Sequence, residues 1–405
     1  MTTSVPSGAA LPRSGWRGVS FDHGPAAFAG AALVLGALAI WQAVDLRQAV
    51  LFVIGGGLGI TLYHASFGFT GGWRRLVVEG RGRPMRVQML MIGLTALVFM
   101  PLLSGGEAFG QPLVGALAPV GVSVLVGAAL FGLGMQLGGG CGSGTLFTVG
   151  GGSSRMLVTL LFFIVGAVLG SWHLPWWLAQ PSLPAMALGD LIGVPGALAL
   201  TLAGLAAVAA VTVWIERRRH GSLETPAAAE RHGLARLLHG PWPLLAGALL
   251  LAVLNIATLL IAGHPWSVTF AFGLWGAKTI QAVGVPVETW AFWQWPGPAA
   301  ALGDSVLADV TSVMNFGILL GAALAAALAG RFAPKVDLPW KSLAAAVIGG
   351  LLMGYGARLS FGCNIGALFS GIASGSVHGW LWFAAAFAGS LLGIRLRPLF
   401  GLDGK

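Results

Sequence analysis

Charge is scarce in this chain: 9% of its 405 residues are Asp, Glu, Lys or Arg, against about 25% in soluble globular domains. No polar stretch is long enough to fold as a water-soluble enzyme or as a basic domain that binds nucleic acid. Cysteine is scarcer still. Cys141 and Cys363 are the two present, too few for the disulfide framework of a small secreted scaffold. Without a histidine nearby they also fall short of a tetrahedral metal set. They do not form a Cys-x-x-Cys redox pair, and no glycine-rich loop ends in Gly-Lys-Ser or Gly-Lys-Thr, so a nucleotide-driven pump of that kind is excluded. No motif for another cofactor is present. Residues 1–24 lack the apolar run and small-residue cleavage site of a signal peptide.

What the chain does have is apolar sequence, 56% of it, in runs that repeatedly approach the roughly 20 residues needed to cross a hydrocarbon core. Such runs exclude a membrane barrel, whose strands alternate apolar and polar residues over about ten positions. The fold class expected is an all-α polytopic membrane protein. Basic residues then orient it. Arg74, Arg75, Arg81, Arg83 and Arg86 mark one cytoplasmic loop; Arg217, Arg218, Arg219, Arg231 and Arg236 mark another. Arg331, Lys335 and Lys341 mark a third, and Arg395, Arg397 and Lys405 put the C-terminus inside. The stretches 101–121, 172–195 and 285–304 carry Glu107, Asp190, Glu288 and Asp304 but no Lys or Arg, and face out. The arginine-rich loop at 74–86 is suited to anionic membrane lipid.

Threading the apolar runs between these anchors predicts about nine spans, each near 20 residues. Two re-entrant elements are added, at 49–73 and 264–284, and the N-terminus is placed outside. The parts are a polar arm at 1–24, a first membrane repeat at 25–215, a cytoplasmic linker at 216–240, a second repeat at 241–397 and a tail at 398–405. On this reading the span at 196–215 is an extra one. A short amphipathic piece is expected near 228–239.

One pattern occurs twice, in opposite orientation. Gly132-Leu133-Gly134 leads to Gly138-Gly139-Gly140-Cys141-Gly142-Ser143-Gly144-Thr145, and Gly354-Tyr355-Gly356 leads to Phe361-Gly362-Cys363-Asn364-Ile365-Gly366. Each glycine costs a helix interior about 1 kcal/mol relative to alanine, so both spans should open at the cysteine. Inverted repeats with discontinuous helices at corresponding places mark a transporter whose substrate sits near the midplane. The N–H groups freed at the start of the following half-helix favour an anion. Gly140, Gly142, Ser143, Gly144 and Thr145 on one side, and Gly362, Asn364 and Gly366 on the other, are the candidate contacts. A protonated thiol is a weak S–H donor, matched to a large, polarizable sulfur anion. Lys278 and Arg358 are cations within apolar sequence and therefore candidates to draw or balance the anion.

At these residues the chain resembles the YeeE/YedE family of bacterial inner-membrane sulfur transporters, whose characterised members are thiosulfate permeases. The similarity runs from about residue 50 to 397 and includes Ser66-Phe67-Gly68-Phe69-Thr70-Gly71 and Phe272-Gly273-Leu274-Trp275-Gly276-Ala277-Lys278. It implies thiosulfate or a related anion as substrate, handed along three cysteines. Here Gly68 stands at the first of those positions. It also implies a separate soluble sulfurtransferase of the TusA type as cytoplasmic partner. Two other functions fit the same residues: a membrane sulfurtransferase or thiol oxidoreductase carrying a persulfide or mixed disulfide, and a scaffold for a soluble sulfur carrier.

Overall fold

The computed structural model describes residues 22–225, 233–332, 334 and 338–402. Residues 1–21 of the expected arm, Pro226, Arg231, Lys335 and Lys405 lie outside them. In chain order the helices are α1 (His23–Ala43), α2 (Leu46–His64), α3 (Phe69–Glu79), α4 (Arg83–Gly105), α5 (Val122–Gly138), α6 (Gly142–Gly150), α7 (Ser154–Leu178) and α8 (Leu188–His220). After the linker come α9 (Gly233–His239), α10 (Leu244–Ala262), α11 (Thr269–Ala282), α12 (Pro296–Gly303), α13 (Val310–Leu328) and α14 (Trp340–Leu359). The last two are α15 (Asn364–Ala373), which opens with a wide π turn, and α16 (Val377–Leu396). Short two-residue strand pairs tie loops at one end.

Among the described residues ten helices are long and apolar enough to cross a membrane, not about nine. The additional one is α2. Symmetry with 264–284 suggested that 49–73 dips and turns back, but Gly55 and Gly59 let α2 lie directly on the backbone of α13: a methyl group at the first would overlap Met314 O and one at the second Ile318 O. Close approach of this kind is what glycine provides between membrane helices. The true dip is 65–79. Helix α2 runs its full length to His64, whose carbonyl accepts from Trp242 N at 2.8 Å; the chain then turns back at 65–68 into α3. The second dip agrees with the sequence: α10 ends at Gly263, Trp266 N turns inward to donate to Asn255 Oδ1 at 2.8 Å, and α11 climbs back out.

Sidedness needs a second correction. Arg47 Nε donates to Ile261 O at 2.7 Å, so α2 and α10 are antiparallel neighbours over their full length. At the start of α1, Asp22 N donates to Ala327 O, and Phe332 N donates to the Asp22 carboxylate at 3.1 Å. The first described residue therefore lies beside Arg331, at the basic end of the bundle. Arg397, near the last described residue, donates to Gln136 O, close to Arg155 and Ser342 at that same basic end. The two ends of the described chain thus lie at the same end of the bundle, where the expected arrangement had them opposed.

Packing follows an internal two-fold pattern. Helix α2 packs on α13 as α4 does on α10; α14 packs on α7 as α5 does on α16; α1 packs on α13 as α8 does on α4. At the basic end α8 is clamped to the α3–α4 turn by Glu216, whose side chain is fully buried. Its carboxylate accepts from Arg86 Nη1 at 2.7 Å, Arg81 Nη1 at 3.2 Å, Gly82 N at 3.2 Å and Glu224 N at 2.7 Å. Removing one member of a buried, hydrogen-bonded ion cluster strands the others. Glu216→Ala is expected to lower stability by about 2 kcal/mol, the partner arginines being partly solvated, and thermal unfolding of the purified protein in detergent measures it.

Candidate anion site at four helix starts

Both cysteines occupy helix breaks. Helix α5 closes at Gly139, in the left-handed region at φ 92°, and Cys141 then takes an extended conformation as N-cap of α6. Its Sγ accepts from Gly144 N–H at 3.4 Å and lies 3.5 Å from Ser143 Oγ. In the second half α14 ends at Leu359, and Phe361 and Gly362 turn the chain through φ values of 57° and 152°. Cys363 then caps α15, its Sγ accepting from Ile365 N–H at 3.4 Å. The two breaks meet. A methyl group at Gly142 would sit 3.2 Å from Cys363 Sγ and 3.5 Å from both Thr269 Cγ2 and Val268 Cγ1. The first turn of α3 reaches the same place, Gln136 Nε2 near the end of α5 donating to Thr70 O at 3.2 Å.

Four helices therefore begin around one point: α3 at Phe69, α6 at Gly142, α11 at Thr269 and α15 at Asn364. Each brings the positive end of its dipole and first-turn N–H groups that have no partner within the helix. Within this shell several polar atoms are buried without a partner: Thr145 Oγ1, both Oδ1 and Nδ2 of Asn364, Thr70 Oγ1 and Asn315 Oδ1. Native proteins rarely tolerate such orphans, and a bound oxyanion would satisfy the donors among them. Cys141 and Cys363 are 1% and 0% exposed, so the centre is closed to both sides in this conformation.

A cavity approaches the centre from each end. The one at the basic end has a volume of about 370 Å³ and is lined by Phe67, Gly68, Gly72, Arg75 and Gln88. Gly68 is extended, at φ −140°, and a side chain there would meet nothing within 4 Å. Gly72 and Gln88 flank it, and Phe67 and Phe69 meet edge to face beside it. The cavity from the opposite end measures about 350 Å³ and reaches Gly362, next to Cys363.

Of the residues picked out by sequence, Gly140, Cys141, Gly142, Ser143, Gly144 and Thr145 and Gly362, Cys363, Asn364 and Gly366 come together at the breaks. Gly68 lies just beyond, at the start of α3. Lys278 does not join them: its ammonium donates to Leu302 O at 2.7 Å and Asp304 O at 2.6 Å, closing the C-terminal end of α12 near the acidic surface. Arg358 lines the cavity that leads to Gly362, apart from the thiol pair. Sequence reasoning missed Thr70 and Thr269 as wall residues. Their signal was position alone, directly after the turns that open the two dips, at the first turn of α3 and α11.

Comparison with known proteins adds to this geometry. A sequence model of a family described as sulphur transport matches residues 64–392. Probable transporter YedE of Escherichia coli K12 is 31% identical over 166 residues, 40% of this chain and 40% of that protein. Its namesake in Salmonella typhimurium LT2 is 33% identical over 147 residues, 36% of each. The match thus spans well under two thirds of either YedE protein. Thiosulfate transporter TsuA of Spirochaeta thermophila is 26% identical over 335 residues, covering 81% of this chain and 92% of that one.

Proposed function

The chain belongs to the sulphur-transport family, and from that premise we propose that it imports thiosulfate or a closely related sulfur anion across a bacterial inner membrane, between Cys141 and Cys363. As a multi-pass transporter it needs a substrate site that the lipid cannot reach. The observation that carries the proposal is the convergence of two thiols and four helix starts on a shell of orphaned buried donors. Backbone N–H groups, Thr145 and Asn364 would hold the oxyanion end, and the two thiols the terminal sulfur. The basic end is the cytoplasmic one, so both described ends of the chain face the cytoplasm on this reading. We read α8 as the opening helix of the second repeat, equivalent to α1, which gives two inverted sets of five crossings. A soluble TusA-like sulfurtransferase would receive the anion at the cavity beside Gly68, where Arg74 and Arg75 stand.

Uptake of labelled thiosulfate into proteoliposomes tests the function. Wild-type protein should accumulate label above empty vesicles. Thr145→Val and Asn364→Ala, each removing one polar contact to a buried anion, should reduce the initial rate by about tenfold. Uptake by wild type no faster than by empty vesicles would refute the transport reading. Unchanged rates in both variants would remove these side chains from the path.

A further inference from the structure

Arg358 stands apart from the thiol pair, on the cavity that leads to Gly362, and its surroundings are unusual. The guanidinium lies inside the bundle with Nε and Nη2 buried and without hydrogen-bond partners. Among the described residues no carboxylate forms an ion pair with it. Three aromatic rings surround it instead, with centroids 4.2 Å (Phe292), 5.8 Å (Phe270) and 6.0 Å (Trp293) from Cζ. Two glycines make room for it. A methyl group at Gly273 would overlap Nη2, and one at Gly170 would come within 2.8 Å of the arginine's Cβ.

This cage faces the cavity of about 350 Å³ at the acidic end, whose wall also carries Ser267, Thr269 and Gly362. Aromatic faces stack against a guanidinium and leave its N–H edge free. That edge matches two oxygens of a tetrahedral oxyanion. A carboxylate partner would compete for the same edge; rings do not. An unpaired cation within a membrane bundle is costly and marks a functional position.

We propose that Arg358, with the hydroxyls of Ser267 and Thr269, forms a second anion-binding site that captures a doubly charged tetrahedral sulfur oxyanion before it reaches the thiols. The proposal rests on the transport reading above and deepens it by dividing recognition in two. The outer site reads charge and oxygen geometry, so it holds sulfate as well as thiosulfate. The inner site reads the terminal sulfur. Sulfate should therefore compete with thiosulfate for capture without itself being carried.

The test uses the full chain in lipid nanodiscs, titrated with sodium sulfate and, separately, sodium thiosulfate, alongside uptake kinetics in proteoliposomes. Wild type and the Cys141→Ala/Cys363→Ala double variant should both bind sulfate. Arg358→Gln should bind it about tenfold more weakly, raise KM for thiosulfate by a similar factor at little changed kcat, and lose inhibition by sulfate. Arg358→Lys, which keeps the charge but not the fork, should fall between. A purely structural arginine would instead lower folded yield and kcat and leave KM and sulfate inhibition alone, and that pattern overturns the proposal. So does sulfate affinity in Arg358→Gln equal to that of wild type. Should Arg358→Gln fail to fold, Thr269→Val carries the same expectation at smaller size, and sulfate affinity and KM unaltered by that change would count against the site. If wild type carries no thiosulfate, the transport reading fails, and the sulfate titration still decides whether the outer site exists.

Discussion

Replacing either Cys141 or Cys363 by alanine should cut thiosulfate uptake by about 10- to 100-fold, the equivalent of 1.5–3 kcal/mol for a donor withdrawn from a buried anion. The two single variants should be similarly impaired, because the breaks are related by the internal two-fold pattern and Cys363 Sγ lies against Gly142, next to Cys141. The double variant should lose little more than either single one, since residues that act on one ligand are not additive. Folding should survive. Each change removes one sulfur from a small buried side chain, a loss of about 1 kcal/mol or less by comparison with other core truncations. Initial rates of uptake, normalised to folded protein from size-exclusion profiles, measure the effect. Wild-type rates in both single variants would mean that the thiols only fill space.

The second large effect concerns the frame around that centre. Gly132 on α5 and Gly389 on α16 lie on the facing backbones: a methyl group at the first would overlap Ala386 O, and one at the second Ala129 O. With no side chain to move aside, the helices themselves must separate, and α5 carries the first break at its end. Gly132→Val should cost more than about 3 kcal/mol by overpacking and leave little folded protein. Gly30→Val on α1 makes the same change where nothing lies within 4 Å, and it should be harmless. Yield of monodisperse protein and its thermal midpoint distinguish the two. Gly132→Val protein as stable as wild type would contradict the close packing of α5 on α16.

These contacts show how far the sequence could be read. The helical membrane class followed from apolar run length, and the cysteine breaks from glycine density beside the two matched motifs; both depend on local residue order. The crossing number did not follow. The first dip was placed at 49–73 as the counterpart of 264–284, and only the packing of Gly55 and Gly59 on α13 shows α2 running through to His64. That placement put the start of α1 at the opposite end of the bundle from Arg331, whereas Asp22 lies beside it. Lys278 shows the same limit: its neighbours in the chain are apolar, while its actual partners, Leu302 O and Asp304 O, come from the C-terminal end of α12, more than twenty residues away. Thr70, Thr269 and Asn315 became visible as site residues only once four helix starts were seen to share one point.

The central claim is that a sulfur anion rests between the two thiols at those helix starts. Its most direct test is a structure of wild-type protein, with ordinary methionine, crystallised with selenosulfate, in which selenium replaces the terminal sulfur and is located by anomalous scattering. The account predicts a selenium peak in contact with both Cys141 Sγ and Cys363 Sγ, within reach of Thr145 and Asn364. A protein that transports this anion yet shows no peak at that point, with selenium bound only elsewhere, would contradict it.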